Sequence, residues 1–367
     1  LYNDRGYLYL SEMPSLLQVC IGDMTFHPDE MNGKLNIEGS PNAYFTSECT
    51  SRIINIPDSA FYNALINEKV DSNEDHLISY AEAYAITSLD VGIHDGDAGK
   101  GSISNLTGIE AFKNLDSLDI SCQAIESLVL WNQPNLQYLA ATGCKLKHID
   151  VGFCKELRTL DLSYFSSLDQ GGKGDLKEID VSKNRYLTKF SCNNNQIDYL
   201  YLSNNTELEY LSAANNYLQR IDVSKNTLLT RLNCSNNRLS ELDLSNNSNL
   251  ESLYCNTNQL NSLDITNNRL IHYLGISYNP DLAEVCVWTS PFPPSGITVD
   301  TSGSPKVEFY DCSGTGTGFE ASNESGLLIY PNPAKHLLSI EAIDPGPYSI
   351  EITSLNGQQL LSEEMEG

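Results

Sequence analysis

The chain has 367 residues, 40% of them hydrophobic, and sets 22 Lys and Arg against 48 Asp and Glu, a formal charge of −26. The apolar fraction supplies a core and excludes a wholly disordered acidic chain. The charge excludes nucleic acid and an anionic membrane surface as partners, because phosphate contacts need clusters of Lys and Arg, and it leaves a divalent cation or a basic partner open.

Residues 1–50 carry two strand patterns, Leu8–Leu10 and Leu16–Val19, and no functional motif. Cys20 and Cys49 are available to pair in an oxidising compartment. The first residue is Leu1, which fits a processed chain. No stretch reaches the ~18–20 apolar residues of a spanning helix, so membrane insertion is not expected.

Residues 51–112 read as a helical cap. Ile56 to Ile66 form a short amphipathic helix with Asp58 or Ser59 as N-cap. Next comes a twelve-residue calcium-loop pattern, with Asp71, Asn73, Asp75, Leu77, Ser79 and Glu82 at positions one, three, five, seven, nine and twelve. Ile78 holds the usual apolar place, but His76 stands where glycine normally supplies positive φ. Two readings follow: a Ca2+ site, or a helix–loop–helix that only covers the first coil. Ala-rich helical residues and the block Leu106 to Phe112 lead into the next segment.

Residues 113–288 repeat. Leu187, Leu208, Leu229 and Leu250 are each 21 residues apart. The unit is L-x-x-L-x-C-x-x-N-x-L-x-x-L-D-L-S-x-N, a leucine-rich repeat. Its frame extends to Leu157, Leu136 and Leu115 upstream and to Ile271 downstream, which makes eight units. The third unit has nine extra residues around Gly171 to Gly174, expected to form a surface loop. One coil cannot bury its apolar edge, whereas stacked coils share a continuous core. Cys192, Cys234 and Cys255 share a position with Ala213 and Ile276, which implies packed thiols rather than a metal or redox column. Asn195, Asn216, Asn237, Asn258 and Asn279 form one column, and Asn205, Asn226, Asn247 and Asn268 another. Each Asn is suited to satisfying backbone groups at a bend. The L-x-x-L-x-C half is expected on a concave parallel sheet, with L-x-x-L-D-[LV]-S on the opposite wall.

Residues 289–312 close the array. Pro291, Pro293 and Pro294 end the period, Lys306 to Tyr310 reads as a last strand, and Cys286 and Cys312 are placed to staple it. Residues 313–326 are a Gly- and Ser-rich linker. Residues 327–367 form a small β-sandwich-like domain, with Asn356-Gly357 as the hairpin turn between Ile350–Ile352 and Leu360–Leu361.

These motifs carry two resemblances. The array resembles the 21-residue repeats of internalin-type bacterial surface proteins, in which Cys also recurs along the core. That implies a right-handed, β-rich leucine-rich repeat solenoid. The stretch before it resembles the segment preceding such repeats in Bacteroidetes surface proteins. Tyr330-Pro331-Asn332-Pro333-Ala334, the strand pairs and Leu355-Asn356-Gly357 resemble the type IX secretion sorting domain of Bacteroidetes. This resemblance implies export and attachment or release at the cell surface. The tail ends at Gly367, before the final strands that family normally has.

The six His make no zinc motif, and no Gly-x-Ser-x-Gly elbow or phosphate loop is present, so no enzyme is expected. Two surface columns remain. Tyr138, Lys189, Tyr210, Arg231, Ser252 and Tyr273 share one repeat position, with Tyr254 on the same face. Exposed Tyr on a rigid sheet suits binding, because it buries large area at small entropic cost. Asp180, Asp222, Asp243 and Asp264 line the other wall and need hydrogen bonds, solvent or a cation at ~4.8 Å spacing. The expectation is a monomeric, secreted or cell-surface protein that adheres to an extracellular protein through the Tyr face. A glycan partner is the alternative within binding. A structural matrix scaffold is a different class, and an enzyme built from residues 1–50 and the cap is the weakest.

Overall fold

The computed structural model describes residues 53–94, 102–165 and 172–312 in full. It also gives the strands β1 (Leu8–Tyr9), β2 (Gln18–Cys20), β3 (Leu35–Asn36) and β4 (Tyr44–Thr46). β1 pairs with β3 and β2 with β4, both in parallel. Cys49 and most of the expected nine-residue loop lie outside the described residues.

The cap opens with α1 (Ser59–Asn67). Asp58 is its N-cap, with Oδ1 accepting from the amides of Ala60 and Phe61. Its other oxygen accepts from the amides of Ser104 and Asn105, tying the helix to the lead-in of the array. Phe61 and Leu65 are fully buried and cover the open edge of the core. α2 (Tyr80–Ala85) begins with a reciprocal capping box between Ser79 and Glu82.

The expected sheet is present and longer than the repeat frame. It has ten parallel strands: β5 (Ser88–Asp90), β6 (Ser117–Asp119), β8 (Tyr138–Ala140), β10 (Thr159–Asp161), β11 (Lys189–Ser191), β12 (Tyr210–Ser212), β13 (Arg231–Asn233), β14 (Ser252–Tyr254), β16 (Tyr273–Gly275) and β18 (Thr298–Asp300). Eight come from the repeats. β5 lies in the stretch expected to be helix, and β18 lies in the closing segment. Ile86-x-x-Leu89-x-Val91 explains β5, because it is a degenerate L-x-x-L-x-C half. Its central Leu89 pairs with Leu118 in register, so the hydrophobic pattern fixes the strand.

The L-x-x-L-D-[LV]-S half of each coil forms the opposite wall. Among the described residues it is laddered only at its ends, by β7 (Ser127–Val129) with β9 (His148–Asp150), and by β15 (Ser262–Asp264), β17 (Glu284–Val287) and β19 (Glu308–Asp311). The middle coils form no ladder there. They are tied by the second Asn column: Asn226 Nδ2 donates to the carbonyls of Leu202 and Asn205, and Asn247 repeats this on Val223 and Asn226. The Oδ1 atoms of Asn184, Asn205, Asn226, Asn247 and Asn268 accept nothing among the described residues. The first column works in both directions. Asn216 donates to Cys192 O and accepts from the Ile197 amide, and Asn237 and Asn258 accept likewise from Leu218 and Leu239.

A third column was not legible as such. In eight of the coils one residue turns the chain off the sheet at positive φ: Cys122, Gly143, Asn194, Asn215, Asn236, Thr257, Tyr278 and Gly303. Gly and Asn adopt this conformation cheaply, whereas Thr257 and Tyr278 hold it at a cost. The Asn side chains link along the column, Asn215 to Asn194 at 2.7 Å and Asn236 to Asn215.

Cys192, Cys234 and Cys255 are fully buried, and burial pushes their thiols upward, Cys234 to about 12. They are core residues, not nucleophiles. A disulfide joins Cys286 in β17 to Cys312 just after β19. In the tail, β20 (Leu327–Tyr330) pairs antiparallel with β21 (Ser339–Ala342), and β22 (Tyr348–Thr353) with β23 (Gln359–Met365). The last pair is the hairpin expected around Asn356-Gly357.

Candidate binding face on the long sheet

On each strand of the long sheet the middle residue points into the core and the flanking two point out, as Leu211, Leu232, Leu253 and Leu274 show. Register therefore lines up two outward rows. One row runs Ser88, Ser117, Tyr138, Thr159, Lys189, Tyr210, Arg231, Ser252, Tyr273, Thr298. The other runs Asp90, Asp119, Ala140, Asp161, Ser191, Ser212, Asn233, Tyr254, Gly275, Asp300. The face is divided. Its N-terminal part is acidic, and its central part is aromatic and cationic.

Four of the expected residues meet in the central part. The rings of Tyr254 and Tyr273 stack with centroids 4.5 Å apart. The Arg231 guanidinium lies 4.9 Å from the Tyr254 centroid and 5.7 Å from that of Tyr210. Arg231 Nη2 also donates to Tyr254 Oη at 3.4 Å. The result is a rung across four adjacent strands, β12, β13, β14 and β16, in which one cation sits between two rings. Gly275 makes room beside it, because a Cβ there would lie 2.8 Å from the Asn256 side chain. Lys189 is exposed on the neighbouring strand. Tyr138 is not part of the rung: Thr159 and Lys189 separate it from Tyr210. Its hydroxyl pKa is raised by burial and then by Asp119, Asp161 and Asp90.

The acidic part was missed by the sequence reading, because β5 was not recognised as a strand. Register sets Asp90 beside Asp119. His94 Nε2 lies 2.9 Å from Asp90 Oδ1, and Asp90, His94 and Asp119 are the one acid–His set among the described residues with ligand-type atoms within 4.8 Å of each other. Gly92 permits the approach, since a Cβ there would lie 3.0 Å from Asp119 Oδ1.

The calcium-loop residues are placed differently. Glu74 and His76 both take φ of 60°, so His76 supplies the left-handed turn in place of glycine. Among the described residues, Asp71, Asp75 and Glu82 do not all bring carboxylate oxygens within 4.8 Å of one another. Asp71 accepts from the amides of Asp75 and His76, Asn73 from that of Asp75, and Asp75 from that of Leu77. Glu82 gives one oxygen to Ser72 and the other to Ser79. Burial raises the Glu82 pKa, but these hydrogen bonds outweigh it and hold the carboxyl below its ordinary value. Hydrogen bonds within the loop hold these carboxylates in place.

The Asp wall is solvated and locally bonded. Asp180, Asp222, Asp243 and Asp264 each accept from the amide two residues on, at 2.8 to 3.0 Å. Hydrogen bonds from Ser182 and Ser224 lower the pKa of Asp180 and Asp222.

The functional domain of InlJ from Listeria monocytogenes, which includes a cysteine ladder, matches at 27% identity and a TM-score of 0.50, over 71% of this chain and 65% of that domain. The solenoid is a leucine-rich repeat. An internalin C2 from the same organism matches at 22% identity and a TM-score of 0.48, over 57% of this chain and 87% of that one. The LRIM1/APL1C complex matches at 21% identity and 0.49, over 63% and 41%. No curated protein matches. Residues 328–367 match the secretion system C-terminal sorting domain. That domain directs the leucine-rich repeat protein to the cell surface or outside by type IX secretion. No helix among the described residues is long and apolar enough to cross a membrane.

Proposed function

We propose that this surface-directed leucine-rich repeat protein binds an extracellular protein, in an adhesive role, on the central part of its long sheet. The observation that carries the reading is the rung of Tyr210, Arg231, Tyr254 and Tyr273. Its residues come from separate coils, interrupt the otherwise repetitive sequence, and present aromatic and Arg anchors of the kind that dominate protein interfaces. The mechanism is surface complementarity without a chemical step.

A protein fits the face better than a glycan. Sugars stack on open ring faces, and the Tyr254 ring is already covered by Tyr273 on one side and Arg231 on the other. Capture of labelled outer-surface and extracellular-matrix protein fractions by the immobilised chain tests the proposal. Tyr210→Ala/Tyr273→Ala is expected to lose capture while keeping its melting temperature. Unchanged capture would discard the face.

A further inference from the structure

We propose that Arg231 recognises a side-chain carboxylate of the protein partner, with Tyr210 and Tyr254 holding the guanidinium so that only its edge is presented. This rests on the binding-face reading above and names the chemistry of its centre.

The first observation is a missing partner. In a chain with 48 acidic against 22 basic residues, an exposed Arg has many carboxylates to choose from. The ion pairs among the described residues are His94 with Asp90, Lys147 with Glu126, and Lys306 with Asp281. Arg231 makes none. Its contacts are two rings and one hydroxyl. A guanidinium has five donors in a planar fork, so most of this fork is unused among the described residues.

The second observation is rigidity. Arg normally loses rotamer freedom when it binds, and that loss weakens recognition. Here the rings at 5.7 and 4.9 Å flank the guanidinium on two sides and restrict its rotamers before any partner arrives. A planar carboxylate meets such an edge through two parallel hydrogen bonds.

The third is the sheet around it. Lys189 lies two strands away in the same row, roughly 10 Å at ~4.8 Å per strand. It is also without an ion pair among the described residues. The acids of the face stand at either end of this stretch, Asp161 on the far side of Lys189 and Asp300 beyond Tyr273. The occupant is therefore an acidic loop or strand of a protein, centred on strands β11 to β13.

The test uses the full chain labelled with 15N. The Arg231 Nε–H resonance is assigned by its disappearance in Arg231→Lys. The probe is the α-amide of N-acetylglutamate, with the matching glutamine derivative, glucuronate and inorganic phosphate as comparisons. The expected result is a saturable shift of that resonance with the glutamate probe and none with glutamine. Tyr210→Ala/Tyr254→Ala is expected to weaken it tenfold or more, with the rest of the spectrum preserved. No shift at saturating glutamate probe overturns the proposal. An equal response to phosphate overturns it as a general anion site, and a response to glucuronate alone overturns the peptide assignment. Capture of surface proteins that is lost in Tyr254→Ala but unchanged in Arg231→Gln would defeat this inference and leave the binding face standing. Capture indifferent to every rung variant would defeat the binding face itself.

Discussion

The opposite wall and the long sheet are built by the same repeat, yet they use its surface positions differently. On the wall, Asp180, Asp222, Asp243 and Asp264 recur because each Asp accepts the amide two residues on. On the sheet, the corresponding outward positions hold Lys, Tyr, Arg, Ser and Tyr in successive coils. Where a coil needs a residue, the residue repeats. Where it does not, the chain varies, and that variation assembles the rung.

This contrast separates stability from binding. The largest effect is expected in the interior: Asn226→Ala removes two buried hydrogen bonds, leaving the carbonyls of Leu202 and Asn205 with only the Asn205 and Leu208 amides, at about 0.5–1.5 kcal/mol each. Denaturant unfolding should show that loss, with capture retained by the folded fraction. Arg231→Glu should do the reverse. It should cut capture tenfold or more, while its unfolding midpoint stays within about 0.5 kcal/mol of the parent. A midpoint shift as large as that of Asn226→Ala would mean that the rung is structural.

The cap supplies the next comparison. Glu82→Ala removes the reciprocal capping box and should cost about 1 kcal/mol. Because hydrogen bonds close the loop, calcium or a chelator should leave the parent's melting temperature unmoved. A rise of several degrees with calcium would show that the Asp71–Glu82 loop reorganises around the ion.

Smaller still is the left-handed column. Thr257→Asn places a tolerant residue at φ 54° in line with Asn194, Asn215 and Asn236. It should stabilise by about 0.5–1 kcal/mol. Last is acid. The folded-state pKa values of Asp180 and Asp222 are lowered, so their contribution is present above the unfolded value near 4 and is lost as pH falls through the folded one. Both are solvent-facing, so the effect is small. Asp222→Asn should flatten the acid limb of a stability–pH curve slightly.

The solenoid was legible because a fixed period of 21 with Leu, Cys and Asn in phase has few other physical solutions. The tyrosines and Arg231 could be placed on one face from phase alone. Their stacking could not, because it depends on side-chain directions across strands. Tyr138 shows that limit: it shares the phase but stands apart. β5 was hidden by its weak consensus, and with it the Asp90–Asp119 pairing. The loop pattern at Asp71–Glu82 predicted the left-handed turn at His76, but not that Ser72 and Ser79 would occupy Glu82.

The central claim is that the varied sheet, not the repetitive wall, is the binding surface. The direct measurement is capture of extracellular protein fractions by two variants matched in melting temperature, Tyr210→Ala/Arg231→Ala/Tyr254→Ala and Asp180→Asn/Asp222→Asn/Asp243→Asn. The account predicts loss in the first and parental capture in the second. Equal capture by both, or loss confined to the wall variant, would contradict it.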